Sequence, residues 1–343
     1  LILSFLFIQG CGDYKKLATG RDELIMTIAP DTLWSLVSGS LRNLVETEIR
    51  TPQFEKLYAL KHIELNQFKA YRYSKNILLM ATLDKNDPVS VYVRSLLPAN
   101  GLELVKNKEQ YLFPSPDHIA KRQFFTIYVT PTAEDMQEHI LSDDGEKLPE
   151  LLEEAFENRM MEQIYYKAEE TEIAKHLMNK YGFSLRLQNN YIILVEDPKQ
   201  QVVHLGKGNP NRWITIFWQE GGFKSVLSQE WAWQTRYWIG RRLMDNTTIE
   251  KKFVTSRTVD WEGKIVHNIR GLWSHPEKAM GGPFSSFYFY DGVTDRVYFI
   301  DLTIWAPGET KNVYLRQMEF MASTFSSRPI DKKYQSLERG RQK

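Results

Sequence analysis

The residues able to do chemistry are scattered along the chain. Its seven histidines are His62, His118, His139, His176, His204, His267 and His275. No two of them stand at the spacing of a helical zinc pair such as H-E-x-x-H. Glu172 and His176 lie one helical turn apart, a spacing that suits a surface carboxylate–imidazole contact. Gly206-Lys207-Gly208 lacks the upstream glycine of a phosphate loop, and Gly208 stands where Ser or Thr would bind magnesium. It reads as a turn after the strand Val202 to Leu205. No G-x-S-x-G elbow occurs. The densest cluster is Trp273-Ser274-His275-Pro276-Glu277-Lys278-Ala279-Met280-Gly281-Gly282-Pro283-Phe284. An imidazole and a carboxylate beside Gly-Gly-Pro can make a binding loop, because glycine lets a backbone approach a ligand closely. The candidate binding residues are therefore His275, Glu277, Gly281, Gly282, Pro283 and Phe284, with Arg241, Arg242 and Asp301 as further charged groups. No catalytic residue, metal site or cofactor is assigned.

These residues need elements to hold them. Leu24 to Ala29 reads as a strand, followed by a helix that starts at Asp31 and carries Leu33, Val37, Leu41 and Leu44 on one side. Phe68 to Tyr73 and Ile77 to Leu83 read as strands, a short helix follows Pro88, and Phe124 to Val129 is another strand. Residues 143–172 carry 11 acids against 3 bases. Apolar residues recur through them at helical spacing, giving one long helix or two in series that stop at Gly182. Beyond that point Phe183 to Leu187 and Tyr191 to Val195 read as a hairpin. Then come the strand Trp213 to Trp218, a helix over Glu230 to Met244, and a strand meander from Phe253 to Trp305. A closing helix spans Asn312 to Phe325. Alternation puts Trp213 and Phe217 on one sheet face and Trp218 on the other.

This pattern predicts an α+β fold, largely antiparallel sheets with packed helices. The two halves are read as ferredoxin-like and joined by a long helix. The expected organisation is a signal-peptide remnant over 1–10, a lipidated tether over 11–20 and an N-terminal α+β subdomain over 21–140. An acidic helical connector follows over 141–182, a C-terminal α+β subdomain over 183–325, and a flexible tail over 326–343.

Composition narrows the function. With 44 Lys plus Arg against 43 Asp plus Glu, the net charge is +1, which argues against a nucleic-acid partner. One cysteine excludes an intrachain disulfide and a cysteine-built metal cage. That cysteine follows an apolar opening, Leu1-Ile2-Leu3-Ser4-Phe5-Leu6-Phe7-Ile8, which is too short to span a bilayer but suits the core of a signal peptide. Gln9-Gly10-Cys11 then resembles the lipobox of bacterial lipoproteins, in which the cysteine is acylated. Gln9 departs from the small residue usual there.

Met280-Gly281-Gly282-Pro283-Phe284, Tyr288 to Tyr290, Asp295-Arg296-Val297-Tyr298, Ile300-Asp301, Ala306-Pro307-Gly308 and Arg316-Gln317-Met318-Glu319 together resemble an uncharacterised family of Bacteroidota envelope lipoproteins defined by a domain of unknown function. The resemblance implies a periplasmic or surface location and supplies no catalytic residues. The expectation is a lipoprotein anchored to membrane lipid through acylated Cys11, its body binding an envelope protein or glycan. The alternative is an envelope enzyme, such as a hydrolase, whose site assembles from dispersed residues.

Overall fold

The computed structural model describes residues 15–165, 169–221, 227–261 and 263–328. The chain divides into two units: one holds the chain up to Thr47 together with Leu57–Arg159, the other holds Glu48–Lys56 and the chain from Met160 on.

The chain begins with β1 (Leu24–Ile28) and α1 (Asp31–Val45). A hairpin of β2 (Glu48–Arg50) and β3 (Phe54–Lys56) follows and belongs to the second unit. The first unit resumes with β4 (Ala59–Ile63), α2 (Phe68–Tyr71), β5 (Asn76–Thr82), α3 (Pro88–Leu96) and α4 (Ala99–Lys106). It continues through β6 (Leu112–Pro114), β7 (Phe124–Thr130), α5 (Ala133–Leu141) and most of α6 (Lys147–Tyr165). Its sheet runs β4-β1-β5-β7-β6. The first four are parallel, and only the short edge strand β6 is antiparallel.

Every residue of β5 and β7 is buried, as strands covered on both faces must be. Leu78 and Met80 of β5 pack with Val37 and Leu41 of α1, Ile140 of α5 and Leu152 of α6. Ile77, Leu79 and Ala81 face the other way, toward Val93 of α3 and Val105 of α4. Leu33, Val37, Leu41 and Val45 recur every four residues, which is why one side of α1 is its buried stripe. Asp87 caps α3, and Thr132 with Asp135 forms a capping box on α5. The buried Arg159 ties the start of the sheet together: its Nε donates to Asp22 Oδ1 at 3.1 Å and its Nη2 to Asn76 Oδ1 at 2.9 Å.

The second unit continues with α7 (Thr171–Tyr181), β8 (Ile192–Asp197), β9 (Val202–Lys207), β10 (Asn211–Glu220) and α8 (Gln229–Leu243). After these come β11 (Thr248–Ile249), β12 (Thr255–Trp261), β13 (Lys264–Ser274), β14 (Gly281–Asp291), β15 (Arg296–Trp305) and α9 (Asn312–Ser323). The antiparallel sheet runs β11-β13-β14-β15-β10-β9-β8, with β12 also on β13. Register sets Phe217, Phe299 and Tyr288 in one row, and these pack with Trp231 and Trp238 of α8. The opposite face carries the row Trp218, Tyr298 and Phe289, against Phe183 and Phe325. The two faces of β10 thus divide Trp213 and Phe217 from Trp218 as alternation requires. Glu55 of β3 caps α9, accepting from the backbone N–H groups of Lys311 and Asn312 at 2.8 and 2.7 Å.

The chain is α+β, and its second sheet is antiparallel as expected. The ferredoxin-like plan does not describe the first unit. There helices connect successive strands and carry the chain back across a sheet face, so neighbouring strands run parallel. Two local readings also change. Phe68 to Tyr71 is helical, following a turn whose Glu64 and Gln67 make a capping box. Phe183, Leu185 and Leu187 form no strand but are fully buried, and β8 pairs with β9 instead.

Candidate functional site

The connection between β13 and β14 contains the cluster singled out from sequence. Register pairs Ser274 with Gly281, Trp273 with Gly282 and Leu272 with Pro283, so the loop proper is 275–280 and Gly281 to Phe284 are strand residues. Glycine is required at 282, because a Cβ there would stand 2.0 Å from the Ile304 carbonyl oxygen, which also accepts from Trp273 Nε1 at 3.1 Å. Phe284 is fully buried beneath the Arg236 guanidinium, 4.9 Å from its ring centre.

The imidazole of His275 closes the loop. Its Nδ1 accepts from the backbone N–H groups of Glu277 and Lys278 at 3.0 and 3.1 Å. The accepting Nδ1 places the ring proton on Nε2, which lies 3.4 Å from Asp245 Oδ2. Lys278 also pairs with Asp245 and holds that exposed carboxyl below its usual range, with His275 adding to the effect. The Glu277 side chain is exposed. The structure thus brings His275, Glu277 and Lys278 into one turn beside Asp245. Arg241 lies over the Tyr237 ring, and Asp301 pairs with Arg236.

Arg236 is the partner that sequence reading missed. Its Nε stands 2.8 Å from Asp301 Oδ1, and neither side chain has any exposure. Ser286 donates to Asp301 Oδ1 at 2.6 Å and Thr303 to Oδ2 at 2.9 Å, while Arg236 Nη2 donates to Thr303 Oγ1 at 3.2 Å. Register extends this row from Asp301 through Thr215 to His204, whose Nδ1 and Thr215 Oγ1 are 2.8 Å apart. Burial pushes the Asp301 carboxyl up, against the guanidinium and the two hydroxyls. Burial, aided by the Arg236 charge, pushes His204 down to about 4, so its ring is neutral at pH 7. Sealed at every member, this layer fixes α8 on the sheet. A signal existed in the sequence: a carboxylate in the middle of Val297-Tyr298-Phe299-Ile300-Asp301-Leu302 demands a buried partner.

An open apolar feature of this unit is its edge strand. β8 pairs with β9 on one side, and no described residue pairs with its other side. Ile192, Leu194 and Val195 are 58, 46 and 37 % exposed. The register shifts between Ile193 and Val195, leaving Leu194 as a bulge folded over Gly206. Glu196 fastens the strand to α7, accepting from His176 Nε2 and the Tyr181 hydroxyl, each at 2.8 Å, with Lys180 Nζ at 3.0 Å. Burial pushes this carboxyl up, but those three donors hold it at about 2. His176 therefore meets Glu196; Glu172 pairs with Lys175.

In the first unit the ends of β1, β5 and β7 surround a cleft of about 120 Å³ lined by Thr32, Thr82, Asp84, Asp87 and Glu134 among others. Such strand ends are where doubly wound sheets often take ligands. Here Asp87 is engaged as a helix cap and Asp84 by Lys85. Among the described residues no group of His, Cys, Asp or Glu is arranged to hold a metal ion.

Residues 170–324 match the family model described as Domain of unknown function (DUF4837). The match runs from α7 to the end of α9 and takes in the Met280 to Glu319 motifs. No curated protein matches the chain. Among solved structures, the chain is similar to a point mutant of protein Mog1 and to the Ran-binding protein Mog1p of Saccharomyces cerevisiae. Each is 14% identical with a TM-score of 0.30, covering 43% of this chain and 90% and 92% of theirs. A third, from Bacteroides thetaiotaomicron, is 9% identical with a TM-score of 0.27, covering 43% of this chain and 46% of its own. Scores this low establish neither a shared fold nor a shared activity.

Proposed function

We propose that this chain is a Bacteroidota envelope lipoprotein, held to a membrane through acylated Cys11, whose domain of unknown function binds another envelope protein along β8. Cys11 lies outside the described residues. The anchor rests on the Gln9-Gly10-Cys11 pattern after an apolar opening, and on the resemblance carried by the Met280 to Glu319 motifs.

The observation that carries the binding reading is the free edge of β8 with Ile192, Leu194 and Val195 in water. An exposed apolar edge strand is a ready template for an added strand. The unpaired N–H and C=O groups supply affinity, and alternate side chains supply specificity. This favours an extended polypeptide over a glycan. The histidine of the 273–284 cluster is used in closing its own turn, so that loop offers no stronger claim.

Membrane fractionation tests the anchor. The wild-type chain pellets with membranes, and Cys11→Ser moves the folded body to the soluble fraction, since each buried methylene of an acyl chain contributes about 0.8 kcal/mol. A Cys11→Ser body that stays with membranes after a high-salt wash contradicts the lipid anchor.

A further inference from the structure

The first unit contains a groove that the reading above does not use. It has a volume of about 490 Å³ and is lined by Leu65, Phe68, Lys69, Arg72, Tyr92 and Ile119. Leu65, Phe68 and Lys69 lie on and just before α2, Arg72 just after it, Tyr92 on α3, and Ile119 between β6 and β7. The Phe68 and Tyr92 rings form one wall, their centres 6.2 Å apart. Leu65, Phe68, Tyr92 and Ile119 all pack at the rim of the apolar core beneath.

The charge of its lining distinguishes this groove from a gap between packed side chains. Its only charged lining groups are the two cations Lys69 and Arg72, and neither has an acidic partner among the described residues. The guanidinium rests 4.9 Å from the Tyr73 ring centre, and the Arg72 carbonyl is fixed by a 2.8 Å hydrogen bond from Gln123 Nε2. Guanidinium and ammonium groups bind anions such as carboxylates through charge-assisted hydrogen bonds.

From these features we infer that the groove binds a single-chain anionic amphiphile of the fatty-acid type. The carboxylate meets Arg72 and Lys69, and the alkyl chain lies along Leu65, Phe68, Tyr92 and Ile119. The volume falls in the range of small-molecule sites, about 300–1,000 Å³. Two cations fall short of the roughly four to eight that mark an anionic membrane surface. A free amphiphile therefore fits better than a bilayer.

The test uses the full chain carrying Cys11→Ser, prepared without detergent and titrated calorimetrically with dodecanoate below its micellar concentration. Saturable binding is expected, with dodecanol about tenfold weaker or more because it brings no charge to Arg72. The double variant Lys69→Gln with Arg72→Gln is expected to lose about tenfold or more for dodecanoate while dodecanol binding stays unchanged. The dodecanoate–dodecanol comparison needs no variant, so it holds even if the double variant folds poorly. Equal affinity for acid and alcohol, unchanged dodecanoate binding by a folded double variant, or no saturable binding overturns the inference. So does sedimentation with phosphatidylglycerol vesicles that depends on Lys69 and Arg72 without any binding of free dodecanoate, which would make the groove a membrane contact.

Discussion

The two sheets leave their edges in very different states. In the first unit one edge strand is β6, only three residues long and ending in Pro114. The other is β4, which turns Lys61 outward. In the second unit β12 covers one side of the sheet with exposed Thr, Ser and Arg, and β11 has only two residues. Short strands, proline and outward charge are the usual means of blunting an edge against unwanted pairing. β8 uses none of them along its first four residues. It has six residues, no proline and no lysine, and it shows water an isoleucine, a leucine and a valine. A bulge at Leu194 interrupts its ladder with β9, and its outer side has no partner among the described residues.

The interiors differ as well. Along the middle of β5 the first unit packs apolar residues on both faces, and its buried ionic contact, Arg159 with Asp22, lies at the strand's start. The second unit instead places a charged layer, Arg236 with Asp301, between α8 and the sheet. Single substitutions should separate these strategies. Arg236→Met leaves the Asp301 carboxylate buried without its cation and is expected to cost about 3–5 kcal/mol in urea unfolding. Adding Asp301→Leu should recover most of that loss. Leu79→Ala is expected to cost about 3 kcal/mol through cavity formation, with no partner change able to recover it. If Arg236→Met costs less than about 1 kcal/mol, the charged layer is not what holds α8.

A slightly smaller effect follows from His204. Its folded value of about 4 lies below the ordinary histidine value of 6.5, so the unfolded chain binds a proton in this window and the folded chain does not. The stability this ring contributes is fully present above pH 6.5 and declines as pH falls toward about 4. The loss is up to about 3 kcal/mol, at roughly 1.4 kcal/mol for each unit between the two values. Denaturant midpoints measured across that range should fall with acid in the wild type and fall less in His204→Gln. Parallel slopes in the two proteins would remove His204 from the account.

Much of this architecture was legible in sequence because periodicity reports which face of an element is buried. The strand meander read to end at Trp305 does end there, with β15, and Gly182 closes α7 in the left-handed conformation, with φ of 75°. Periodicity does not report strand direction. The apolar runs Ile77 to Leu83 and Phe124 to Val129 read equally well as antiparallel or parallel, and their parallel pairing depends on the helical crossovers between them. Fully buried Phe183, Leu185 and Leu187 mimicked a strand by alternation alone. The binding candidates were read from a loop rich in special residues. Gly282 turned out to serve a close backbone approach, and His275 a turn. The exposed edge of β8 could not be seen, because Ile192, Leu194 and Val195 look like core residues until their neighbours are known. Arg72 and Tyr92 were missed for the same reason: they stand 20 residues apart and meet only in the fold.

The smallest expected effect on stability accompanies the largest expected effect on binding. Ile192→Lys should change unfolding free energy by no more than about 0.5 kcal/mol, since the side chain is mostly in water. The most direct test places a photo-reactive amino acid in turn at Ile192, Ile193, Leu194 and Val293 of the full chain in native cells. Adducts are identified by mass and checked for loss with Leu194→Lys. The account predicts one envelope protein captured from positions 192 and 194, alternating with little from 193, and none from the exposed loop residue Val293. Equal capture from Val293, capture only of a second copy of this chain, or no adduct at β8 would contradict it.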